Sequence, residues 1–168
     1  MRFDDRLDTM LTQSAPDGAA RAALWVQIAD IVAQERNRIS PEKQAAAFER
    51  LHAWREDVLV SRRRATALAL SDHPVPPEMV DLFAQDSPQV AAPLLLHAQL
   101  DDQDWVRLIP GWPSTSRALV RERRDLPEET RRLLGVYGNV DFVLPGENNV
   151  TDPHESVIQI RDLVARIE

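Results

Sequence analysis

"LFAQDSPQVAAPLLLHAQLDDQDWVRLIP", residues 82–110, packs two short apolar patterns between clear punctuation. Ser87-Pro88 opens the first. Proline is tolerated in the first turn of a helix, where its missing N–H costs nothing, and serine suits the cap position before it. Apolar residues then recur through Leu96. The acidic turn Asp101-Asp102 opens the second pattern, with Trp105, Leu108 and Ile109 at helical spacing. Helices this short cannot each bury a stripe alone. They must pair, and the pairs must pile on one another.

Moving outward, a shift of 26 residues lays much of the pattern on itself. Leu68, Leu94 and Val120 coincide, as do Leu82, Leu108 and Leu134; Phe83 falls on Ile109, Met79 on Trp105 and Val80 on Val106. Further starts stand at Ser40-Pro41, Pro76-Pro77 and Leu126-Pro127, with Asp17 and Ser61 as caps lacking a proline. One apolar face follows Asp17 (Ala20, Ala23, Leu24, Ile28, Ile31, Val32) and another follows Ser40 (Ala45, Phe48, Leu51, then His52 or Trp54). Short helices are predicted over 62–70, 77–85, 88–98, 102–109, 115–123 and 128–136. Nothing before residue 138 alternates over a strand's length, although the acidic start "MRFDDRLDTML" mixes polar with apolar. "YGNVDFVLPGENNVTDP" (137–153) reads as a turn and then a linker. The expectation is an all-α fold of stacked helical hairpins over 1–137, a linker over 138–152, and a C-terminal amphipathic linker helix over 153–168.

That last segment, "SVIQIRDLVARIE" (156–168), spaces Val157, Ile160, Val164 and Ile167 by 3, 4 and 3, the seam rhythm of a coiled coil. These four residues are the predicted dimer or linker seam. No Gly or Pro stop follows Ile167, which points to a helix that continues in a longer chain. Ile158 and Leu163 widen the stripe, so docking back on the domain is the competing reading.

Composition narrows the function. The chain of 168 residues is 43% hydrophobic, enough for a real core, with a net charge of −7 and 28% charged residues. A charge of that sign disfavours nucleic acid, whose sequence-independent binding rests on neutralising phosphates. Cysteine is absent, which removes disulfides, thiol nucleophiles and Cys-based zinc sites and fits a reducing, cytoplasmic setting. No apolar run approaches the roughly 20 residues a membrane span needs, so no membrane insertion is expected.

The stretch 82–110, followed by "SRALVRERRDLPEETRRLL" (116–134), resembles a bacterial family of HEAT-like helical-repeat domains of unknown function. The similar features are the acidic turn at Asp86, the helix "VAAPLL", the helix start after Leu100, and the helix pair from Ala118 to Leu134. The departure is Trp112-Pro113 and Arg117–Val120, where that family has a longer polar segment. The whole chain, with "DFVLPGENN" (141–149) and "QIRDLVARIE" (159–168), also resembles the N-terminal region of PAS-containing bacterial sensor histidine kinases. The resemblance implies a HEAT-like α-solenoid acting as a non-catalytic signal-input segment, and it transfers no catalytic residue.

Candidate chemistry is thin. Asp101, Asp102 and Asp104 with His97 offer carboxylates for a divalent ion, but acids in a first turn also complement the helix dipole. His52, His73, His97 and His154 lie far apart, and no serine stands on a G-x-S-x-G elbow. Arginines at 62–64, at 121, 123 and 124, and at 131–132 would form a basic stripe if the helices stack, or pair with nearby acids. Trp105 falls on the apolar register. Trp112, in a turn, is a candidate anchor for a partner or a lid over helix ends. The predicted partner-contact residues are therefore Trp112, Arg121, Arg124 and Arg131. The reading is a non-catalytic protein-interaction or signal-input module without cofactor or metal, contacting a protein partner or a second copy of itself. The alternative is a small-ligand sensor with a pocket between helices.

Overall fold

A computed structural model describes residues 3–34 and 38–141, and among them the chain is all-α, with no strand. Nine helices follow in order: α1 Phe3–Thr12, α2 Gly18–Gln34, α3 Pro41–Trp54, α4 Val60–Leu70, α5 Pro77–Ala84, α6 Pro88–Leu95, α7 Asp102–Leu108, α8 Ser114–Arg121 and α9 Glu128–Asp141. Short 3₁₀ turns at Arg55–Asp57 and Ile109–Gly111 extend α3 and α7. The predicted linker beyond Asp141 and the segment holding Val157, Ile160, Val164 and Ile167 lie outside the described residues.

The punctuation acts largely as expected. Asp17 caps α2 by accepting from the Ala20 amide at 2.7 Å, and Ser40 Oγ accepts from the Lys43 amide at 3.4 Å. Pro41, Pro77 and Pro88 sit in first turns. Three caps differ. The Ser87 side chain makes no capping bond; the Asp86 carboxylate takes the Ser87 amide instead, at 2.7 Å. Ser61 lies inside α4, whose cap position is Leu59. Asp101 precedes α7 without a side-chain cap bond, which leaves its charge to complement the dipole.

Two elements were hidden. The opening segment is helical because Leu7, Met10 and Leu11 recur at three- and four-residue spacing; Leu7 is fully buried, with Met10 and Leu11 packed at the core's edge. Residues 137–141, read as a turn, continue α9. The Arg117 guanidinium lies 4.5 Å from the Tyr137 ring centroid, a cation–π contact that ties this last stretch to α8.

The core is continuous. Trp25 of α2 stands edge-on to Phe83 of α5 (centroids 5.9 Å apart) and donates its indole N–H to the Leu51 carbonyl of α3 at 2.8 Å, so one side chain joins three helices. Contacts also skip along the chain: α2 packs on α4, α4 on α6 and α6 on α8, while α1 packs on α3, α3 on α5 and α7 on α9. Successive helices close hairpins, among them α2 with α3, α5 with α6 and α8 with α9. The α4–α6 contact is the most extensive.

Buried arginines hold helix ends together. Arg63 is 7% exposed and donates to the Arg55 and Val58 carbonyls at 2.9 and 2.7 Å, while its Nε pairs with Asp86 at 2.7 Å. Arg123 does the same for α6, donating to the Leu95 and Ala98 carbonyls at 3.0 and 2.6 Å and pairing with Asp125 at 2.7 Å. The last carbonyls of a helix have no partner of their own, and a guanidinium's fork satisfies two at once.

Candidate interaction surface

The outward faces of α2, α4, α6 and α8 follow from what each buries. In α4, Arg63, Thr66, Ala67 and Leu70 turn inward, which leaves Ser61, Ala65 and Leu68 at the middle of the exposed side. In α6, Val90, Ala91, Leu94 and Leu95 turn inward, leaving Gln89, Ala92, Pro93 and Leu96 outside. The exposed strip of α2 is Ala19, Ala23, Gln27, Asp30 and Gln34, and that of α8 includes Thr115, Ala118 and Glu122. These strips are small, apolar or neutral, with few charges. By contrast α3, α5, α7 and α9 expose Glu42, Glu49, Glu78, Arg107, Glu128 and Arg132.

Five large apolar side chains are exposed among the described residues. Leu59 and Val60 open α4, Leu68 lies within it at 55% exposure, and Leu96 ends α6; Val136 on α9 is the exception. Scattered surface apolar residues need no explanation, but a group on two helices in mutual contact marks an interaction site.

A groove of about 370 Å³ runs between α2 and α4, lined chiefly by Val26, Gln27 and Asp30 on one side and Arg62, Ala65 and Ala69 on the other. Its polar groups are partly satisfied already. The Gln34 amide donates to Asp30 at 2.6 Å, and the Thr66 hydroxyl donates to the Arg62 carbonyl at 3.0 Å. Arg62 makes no ion pair among the described residues.

The predicted contact residues are dispersed. Trp112 is 2% exposed; it stands edge-on to Trp105 and donates its indole N–H to Asp81 at 2.8 Å, while its carbonyl accepts from Arg117. It is a core residue and presents nothing to a partner. Arg121 turns toward α9, donating to the Leu134 carbonyl at 3.3 Å. Arg124, in the turn after α8, and Arg131, in the first turn of α9, are exposed. Arg63 and Arg123, inside the predicted stripe, are spent on the helix-end clamps.

No catalytic or metal arrangement forms among the described residues. Asp102 accepts from Thr130 at 2.7 Å, Asp104 pairs with Arg107 at 2.7 Å, and no three His, Cys, Asp or Glu side chains are placed to hold a metal. Buried Ser116 donates to the Ala84 carbonyl at 2.6 Å instead of to a histidine. His52, His73 and His97 are exposed on separate elements, and His154 lies outside the described residues. The clear pKa shifts belong to surface contacts. The Arg123 guanidinium bonded to Asp125 lowers that carboxyl, the Asp104 bond raises Arg107, and Glu42 is lowered first by its own backbone amide and then by Ser40. None of the three lines the groove.

No protein-family model, curated protein or solved structure matches this chain. No helix among the described residues is long and apolar enough to cross a membrane.

Proposed function

We propose that this chain is a non-catalytic protein-interaction or signal-input module, built as a HEAT-like stack of helical hairpins and working in the cytoplasm as the N-terminal region of a bacterial sensor histidine kinase. The stack is supported by the skipping contacts, α2 to α4 to α6 to α8, which are those expected when each hairpin packs on the next. The observation that carries the interaction reading is the segregation of exposed apolar side chains onto α4 and α6, while the charge sits on other helices. Association draws on apolar burial, with charged residues depleted where two proteins meet. Val157, Ile160, Val164 and Ile167 would serve as the dimer or linker element that passes a signal onward.

The test replaces Leu68 and Leu96 with Asp and compares quantitative co-purification from the native host with the unmodified chain and with a Glu49→Lys, Glu78→Lys control. Both substituted pairs are exposed and should leave the melting curve nearly unchanged. Loss of the captured proteins in the first variant alone supports the face; loss in the control alone contradicts it. For the seam, sedimentation at high concentration compares the full chain with one ending at residue 152. Identical monomers would end the dimer proposal.

A small-ligand sensor is the second reading, favoured by a groove whose volume falls in the usual range of about 300–1,000 Å³. It predicts a metabolite that raises the melting temperature and loses its effect in Ala69→Trp.

A further inference from the structure

Arg62 and Arg64 are out of step with the rest of the molecule. The chain carries −7, and its described arginines commonly face carboxylates: Arg21 with Asp57, Arg63 with Asp86, Arg107 with Asp104, Arg123 with Asp125 and Arg132 with Glu128. Arg62 and Arg64 are exposed and make no ion pair among the described residues, even though acids outnumber bases. Arg62 stands on the rim of the α2–α4 groove, and Arg64 stands on the same exposed helix, one turn from Leu68 and Val60.

The groove beside them has a helix-shaped floor. Ala65 and Ala69 are four residues apart, so they lie one above the other on α4 and leave a shallow row between larger neighbours. A ridge of leucine or isoleucine side chains from another helix fits such a row. Asp30 and Thr66 are already hydrogen-bonded within the chain, so apolar side chains can cover them without stranding a polar group.

We propose that the α2–α4 groove seats one amphipathic helix of a partner protein, apolar on the face laid against Ala65 and Ala69 and acidic on the flank beside Arg62 and Arg64. The partner supplies the carboxylates that this chain withholds from both arginines. The assignment rests on the interaction reading above and specifies its occupant.

Designed, fluorescein-labelled helical peptides test it at physiological salt. One carries leucines at helical spacing with glutamate flanks, a second has the same leucines with lysine flanks, and a third has the glutamates with the leucines scrambled. Anisotropy should show the glutamate peptide binding the full chain most tightly. That order runs against the bulk charge of −7, which by itself favours the lysine peptide. The double variant Arg62→Glu, Arg64→Glu should weaken the glutamate peptide by on the order of tenfold and strengthen the lysine one. Ala69→Trp should abolish binding of both, with its circular dichroism melt confirming a folded chain.

If both leucine peptides bind and charge reversal changes neither, the acidic partner is overturned while the apolar face survives. If neither binds at millimolar concentration, the groove is not a helix seat. Binding of the scrambled peptide equal to that of the patterned one also overturns the proposal. A second copy as occupant would appear as a concentration-dependent dimer that Ala69→Trp dissolves, and it too would displace the partner assignment.

Discussion

Arg63 shows most plainly how a single residue is fixed by its surroundings. Its guanidinium and the Asp86 carboxylate are 8% and 5% exposed, so each charge depends on the other. Removing one partner of a buried pair costs about 3–5 kcal/mol, chiefly because the survivor is left charged and dry. Arg63→Met should lower unfolding free energy by that amount in urea titration. Adding Asp86→Asn should recover part of the loss, since the neutral amide keeps an oxygen for the Ser87 amide; a further loss would contradict the pairing. Asp125 behaves differently because its side chain is 63% exposed. Its folded pKa lies below the ordinary 3.8, so the stability it adds is complete above that value and is lost as pH falls through the folded one. Asp125→Asn should therefore be less stable than wild type near neutrality, and the gap should close in strong acid. A gap independent of pH would assign the effect to something other than the charge.

Between helices, register separates core from surface. The 26-residue shift pairs Leu68 with Leu94, yet Leu68 is 55% exposed and Leu94 is fully buried. The cap positions explain it. Ser87 to Pro113 spans 26 residues, from α6 to α8, but Leu59 to Ser87 spans 28, from α4 to α6. At 3.6 residues per turn, two extra residues rotate a side chain by roughly 200°, which carries Leu68 from the core to the exposed face. Leu94→Ala should cost about 2–5 kcal/mol, whereas Leu68→Ala should stay within about 0.5 kcal/mol. Equal costs would mean that the register is misread. Helix starts were legible in the sequence because caps and prolines are local signals, and the apolar positions of α5 to α9 because their spacing is nearly constant. The buried Trp112 was not legible: only the fold brings Asp81 to its indole. The Arg63–Asp86 clamp joins residues 23 apart with no periodic signature. The exposed face was missed for a related reason. Leu68 and Leu96 look like core in sequence, and only their turn away from buried neighbours shows them as surface.

The molecule as a whole divides its labour between faces. One set of helices carries much of the exposed charge, which suits solubility. The other exposes alanine, leucine and neutral polar side chains, with Arg62 and Arg64 beside them. No described cluster of ionisable groups converges on a cleft as catalysis demands. The central claim is that the α4–α6 side, with its groove toward α2, is where this chain meets other proteins. The direct measurement is photo-cross-linking in the native host, with a benzophenone amino acid placed in turn at residues 68, 96, 49 and 78, and adducts identified by mass spectrometry. The account predicts a shared, defined adduct from positions 68 and 96 and little from 49 and 78. Adducts concentrated at 49 and 78, or none from 68 and 96 in a folded chain, would contradict it.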